Sequence, residues 1–304
     1  MRQHEIPQLR AERDHLHGIL SRIPAGEVIN RLSFQNRLHQ VEERLDTLLS
    51  GFREPAKTVL YLSGKPVVGT TGIEAKFGAE VVNQFNSIVI ALAAQLSGNT
   101  LGERGSIPNC KDNQLLITGT ALGSFGFELE ENLEQLECLT EQEPSLIESS
   151  MRKALRIMKA SIGSDDELMD EIDELDDRAM QVIHDFLETM AKNEAFCAIE
   201  VDDETFCFED FKQVERSSSK FDSNNMDESE ADYFGEFIGA LPESRTFEFK
   251  VSPSNNVIKG KVGHSIEDAM AINHILEKQI RITVHKKTIG KGNPRFTLMK
   301  FYEV

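Results

Sequence analysis

The period of apolar and polar positions changes several times along the chain, and each change predicts an element. Residues 8 to 23 place Leu9, Leu16, Leu20 and Ile23 on one helical face with Arg and Glu opposite, and Pro24 and Gly26 stop the helix. From about Ser33, read as an N-cap, to Leu49, the residues Leu38, Val41, Leu45 and Leu48 recur at three and four. Residues 1–55 therefore read as a helical hairpin. Its apolar stripes are narrow, so such an arm needs the body of the protein, a second copy or another protein to pack on.

In residues 56–143 the period shortens. Val59 to Leu62 and Pro66 to Val68 read as short strands around a Gly64-Lys65 turn. From Ile73 to Leu96 the residues Phe77, Val81, Phe85, Ile88 and Leu92 share one helical face, and the last two turns are apolar nearly all round, the mark of a helix inside a core. Two further strands are predicted between Gln114 and Glu128, around the glycines 119, 123 and 126. Strand, strand, helix, strand, strand makes a small α+β layer with the helix on one sheet face.

Helical spacing returns in residues 144–240. Leu146, Ile147, Met151, Leu155 and Met158 form one stripe, and Asp165 to Met190 reads as one long helix whose N-cap is Ser164, with Glu167 completing a capping box. Phe196 to Val214 reads as a hairpin turning at Asp202-Asp203-Glu204, and the Ser, Asn and acid-rich stretch Ser217 to Asp232 as a connection. Residues 241–304 alternate again, giving a β-rich, barrel-like module with one helix near Ile266 to Glu277. The fold class is α+β: an N-terminal helical hairpin, a small sheet domain with a buried helix, an acidic helical region and a β-rich C-terminal module.

Charge sharpens this division. The net charge of −18 is concentrated in residues 121–240, with 9 basic and 33 acidic groups, while residues 241–304 carry 11 basic and 6 acidic ones. A single-sign surface of this kind keeps a protein soluble, docks on an opposite surface of the same chain, or recognises a charged partner. The cations Lys259, Lys261, Arg281, Lys286, Lys287, Lys291 and Arg295 make the C-terminal module the place where nucleic acid could bind. The acidic run Asp165 to Asp177 lacks the glycine of a calcium loop and reads as an amphipathic helix whose charged face is solvated or imitates a row of phosphates.

Catalytic patterns are fragmentary. Arg178 and His184 have a spacing similar to that of the HEPN ribonucleases, over seven residues only, and Ala179 stands where that pattern has a polar residue. Glu248 and Lys250 form the E-x-K of a metal-dependent nuclease, which alternation with Phe247 and Phe249 also produces on any strand. The glycine spacing fits neither a dinucleotide fingerprint nor a phosphate loop. Cys110, Cys138, Cys197 and Cys207 have no zinc spacing, no histidine lies near them in sequence, and neither a metal nor a cofactor is expected. No membrane span or leader is expected, and the unpaired cysteines suit a cytoplasmic setting. The expected function is that of a non-catalytic interaction or regulatory protein, acting on a protein partner through the arm and its oppositely charged surfaces, or self-associating through residues 8–50. The alternatives are a metal-dependent or HEPN-like nuclease, or nucleic-acid binding through the C-terminal module.

Overall fold

The computed structural model describes residues 5–22, 28–49, 55–99, 113–121, 125–132 and 144–303. It is a mixed α+β structure with an N-terminal pair of helices and a C-terminal sheet module. Helices α1 (Glu5–Leu20) and α2 (Val28–Leu49) pack on each other around a small core of Leu16, Val41 and Leu45, separate from the two larger cores. Helix α2 begins five residues before Ser33, which is exposed inside it and caps nothing.

The main body is a five-stranded antiparallel sheet in the order β4-β5-β1-β6-β7. Its strands are β1 (Lys57–Gly64), β4 (Leu115–Ala121), β5 (Gly126–Glu131), β6 (Ala195–Val201) and β7 (Glu204–Cys207), and β2 (Val67–Val68) with β3 (Gly72–Ile73) forms a separate short hairpin. One sheet face, carrying Leu60, Leu62, Cys197 and Ile199, is buried under α3 (Ala75–Leu96), α4 (Leu146–Ser161) and α6 (Asp177–Lys192). Helix α3 is long and apolar enough to cross a membrane, but 67% of its apolar window is buried inside this core. Phe85 of α3 meets Phe186 of α6 with ring centroids 6.1 Å apart, both rings fully buried.

The long helix expected over 165–190 is two helices, α5 (Asp165–Ile172) and α6. The break has a local cause: the Asp176 side chain accepts the Ala179 N–H at 2.9 Å and starts α6 afresh. Apolar spacing runs on through the break, so periodicity alone does not reveal it. The capping box at Ser164 forms as the sequence implies, with Glu167 Oε2 accepting the Ser164 N–H at 2.7 Å. At Gly119 the β4–β5 register shifts, between Ile117 and Gly119, a bulge that brings the Glu128 side chain where a Cβ would sit. Gly123 lies outside the described residues.

Helix α7 (Phe211–Lys220) takes the end of the expected hairpin and the start of the expected connection. The rest of that connection is the first half of β8 (Met226–Leu241), a barrel strand. With β9 (Thr246–Val251), β10 (Val257–Val262), β11 (Ile280–Ile289) and β12 (Arg295–Glu303) it closes a barrel in the order β10-β12-β11-β8-β9, antiparallel throughout except for the β10–β12 pair. Numbered within the barrel this is 3-5-4-1-2, the connectivity of an OB-type Greek-key barrel. The helix expected near Ile266 is a 3-10 turn, Ala269–His274, that buries Ala269 and Ile272 against the barrel core. Arg245 latches the β8–β9 turn by donating to the carbonyls of Val262, Gly263 and Ile266.

The β8–β11 ribbon joins the two large cores. Phe237, Ile280, Ile282 and Val284 lie in the barrel core, whereas Ile289 and its cross-strand partner Met226 pack in the core of the sheet and helices. Counted from Met226, the residues of the barrel carry eleven Lys and Arg against eleven Asp and Glu, so β8 removes the positive excess that residues 241–304 show alone.

Candidate functional site

The acidic run and the basic module meet. Asp165 and Asp166, at the start of α5, accept the backbone N–H groups of Lys291 at 3.1 Å and Asn293 at 2.7 Å, and the Asn293 side chain adds a bond of 2.8 Å to Asp166. One turn further, Asp170 pairs with Arg295 at 2.6 Å, and beyond the helix end Asp173 and Glu174 hold Lys261 Nζ at 3.0 and 2.6 Å. The opposite side of α5, Leu168, Met169 and Ile172, is sealed in the main core. Lys287, buried at the same junction, pairs with Glu228 at 2.9 Å and reaches the Leu175 carbonyl. Helix α5 thus presents one face to the core and clasps the barrel with the other.

The remaining cations stand elsewhere on the barrel. Lys259 pairs with its cross-strand neighbour Glu248 at 2.6 Å, and Lys250 with Glu236 at 3.2 Å, so the E-x-K residues belong to two cross-strand ion pairs on the barrel exterior while Phe247 and Phe249 fill its interior. Arg281 pairs with Asp232, and among the described residues Lys286 has no ion-pair partner. Arg178 and His184 both lie on α6, where a six-residue spacing sets them about 120° apart around the helix. His184 Nδ1 is 3.9 Å from Asp185, with Glu188 and Asp222 close enough to feel its charge. Among the described residues, no three His, Cys, Asp or Glu side chains converge as a metal site would require. Burial pushes the thiol of Cys197 far up, and that of Cys207 up by less; the two are free thiols on opposite faces of β6–β7. Cys110 and Cys138 lie outside the described residues.

The clasp has a definite pH dependence. The hydrogen bond and charge of Lys261 hold the Glu174 carboxyl below its ordinary range. Burial works to lower the Lys261 ammonium, but its bonds to Glu174 and Asp173 outweigh that and raise it. A carboxylate depressed in the folded state stabilises above its unfolded value of about 4.3, and that contribution is lost as pH falls through the lower folded value. We expect the urea midpoint to fall between pH 6 and pH 3, and to fall less in a Lys261→Met chain. An equal fall in both would remove Lys261 from the coupling. Raised salt should weaken the same exposed pairs at neutral pH.

Concavities among the described residues accompany this arrangement. A cavity of about 170 Å³ lies under the clasp, lined by Gln95, Lys153, Glu171, Glu174 and Lys261 among others. Burial acts to raise Glu171 there, but Lys153, bonded at 2.7 Å, and Arg156 outweigh it and hold the carboxyl down. Grooves of about 480 and 660 Å³ lie between α3 and the β4–β5 edge and across the outside of β8, β9 and β10. What the sequence did not reveal is the pairing itself, since Arg295 and Asp170 are 125 residues apart. Only the opposite charge of the two segments signalled it. Comparison with protein-family models, curated proteins and solved structures found no match to this chain.

Proposed function

We propose that this protein is a non-catalytic interaction protein that engages a protein partner, or a second copy of itself, through the α1–α2 arm. The observation that carries this reading is the arm's isolation. Among the described residues, two helices of 16 and 22 residues share three buried apolar side chains, Leu16, Val41 and Leu45, in a cluster apart from the other cores. Isolated helices of this length are marginal in water, and most helical stability in proteins comes from tertiary packing. Leu32 is half exposed on the same arm, and Phe34 and Leu38 are only partly covered. The charged surfaces of the body, by contrast, engage each other, which leaves the arm as the surface with most to gain from a partner. Cys197 and Cys207 as free thiols suit action in a reducing compartment such as the cytoplasm.

The test is absolute mass by light scattering, with the composition of the protein purified at low salt. The expected result is a stoichiometric protein partner or a homodimer mass, lost in a Leu32→Glu/Phe34→Glu chain whose helicity is kept. A bare monomer unchanged by these substitutions would remove the arm from the function.

A further inference from the structure

We propose that the outer surface of β8, β11 and β12 is a stacking platform for single-stranded nucleic acid, which uses Arg281 alone of the basic residues that the sequence picks out. Phe234, Arg281 and Tyr302 are direct cross-strand neighbours on three adjacent strands, so their side chains stand in one row on one face. Both rings are in water: Phe234 is 50% and Tyr302 53% exposed. Soluble proteins expose single apolar side chains freely, but two aromatic rings flanking a guanidinium form a patch, and such patches mark binding sites.

The guanidinium is already aimed. Asp232 binds Arg281 Nη2 and also accepts the Thr283 hydroxyl at 2.7 Å, and the Arg281 head lies 5.7 Å from the Phe234 ring centre. Fixing the cation in this way leaves its remaining N–H groups to meet an anion without a further loss of side-chain freedom. In the next row, Lys300 stands opposite Thr283, exposed and, among the described residues, without an ion-pair partner. Strands about 4.8 Å apart put the two rings roughly 10 Å from each other across the row. That span suits successive unpaired bases, one on each ring, with backbone phosphates over Arg281 and Lys300.

Charge does not forbid this. The chain is strongly acidic, but the barrel itself is balanced, and the carboxylates of α5 and of Asp173 and Glu174 just beyond it are held against the Gly290–Asn293 loop, Arg295 and Lys261. The other cations that the sequence picks out are poorer candidates, because Lys259, Lys261, Lys287 and Arg295 are paired with carboxylates and have no exposed ring beside them in their cross-strand row. Stacking is tolerant of sequence, so the ligand class is a single strand of unspecified sequence, and affinity should fall steeply with salt.

The test uses the full chain with fluorescein-labelled twelve-residue oligouridylate and oligothymidylate, at low salt, read by anisotropy. The chain has no Trp and three Tyr, so tyrosine emission gives an independent readout of stacking on Tyr302. Binding of one or both oligomers is expected, with tyrosine quenching that disappears in Tyr302→Ala. Phe234→Ala and Tyr302→Ala should each weaken binding by about tenfold, and Lys300→Ala should lower the salt slope by about one phosphate contact. The RNA and DNA arms tell which backbone the platform accepts. Three results would each overturn the proposal: no binding of either oligomer, equal binding of a labelled twelve-base-pair DNA duplex measured beside them, or affinity indifferent to Phe234→Ala and Tyr302→Ala alike. Loss of a co-purifying protein on the same substitutions, with no oligomer bound, would assign the patch to a protein partner instead. The arm variant Leu32→Glu/Phe34→Glu should leave oligomer binding intact, so the two proposals fail separately.

Discussion

A Gly235→Val chain is expected to lose its barrel. Gly235 is the position at which β8 is shared, opposite Ile280 of β11 on one side and Val251 of β9 on the other. A Cβ built there would collide with the main-chain carbonyl of Lys250, a group that cannot swing aside as a side-chain tip can. Relief would require β9 to move away from β8, which opens the barrel and exposes Phe237 and Phe249. Overpacking commonly costs about 1–3 kcal/mol, and a clash with a hydrogen-bonded main chain sits at the upper end or beyond. Gly239, four residues along the same strand, is the internal control, because a Cβ there meets nothing within 4 Å. Gly239→Ala should therefore stay within about 0.5 kcal/mol of the parent in urea unfolding. Similar midpoints for the two variants would refute the assigned register of β8.

The second large effect is expected from Phe186→Ala. The ring is fully buried on α6 and meets Phe85 of α3, tying together two of the three helices that cover the sheet. Phe-to-Ala changes in closed cores cost about 3–5 kcal/mol. Domains are stable by about 5–15 kcal/mol, so the variant should be partly unfolded at ambient temperature or have a much lower urea midpoint. A loss under about 1 kcal/mol would mean that α3 and α6 do not pack as described.

Much of this architecture is legible in the sequence where the signal is local. The apolar girth of α3 and the Ser164–Glu167 capping box both follow from residues within a few positions of one another. Strand β8 escaped for a physical reason: along its first half the side chains are largely in water on both faces, so Asp227, Glu228, Glu230 and Asp232 leave no apolar alternation to read. Its partner β11 supplies the register. The residues of the candidate sites divide in the same way. The cations were visible as a group, but which of them are held by carboxylates depends on contacts across the fold, as with Lys261 and Glu174. Phe234 became significant only when the pairing of three strands set it beside Arg281 and Tyr302.

The β8–β11 ribbon also bears on how the chain is completed during synthesis. The core beneath the sheet helices includes Ile289 of β11, which follows the rest of that core in sequence by more than sixty residues, so that core has a gap in its wall until β11 has been made and paired. A fragment cut at Leu241 fares worse on both sides: the upstream piece keeps an unpaired β8, and the downstream piece tries to close a barrel from four strands. The ribbon thereby makes β11 a condition for the stability of the core built from residues 56–221, and joins what look like successive modules into one unit of folding and of degradation.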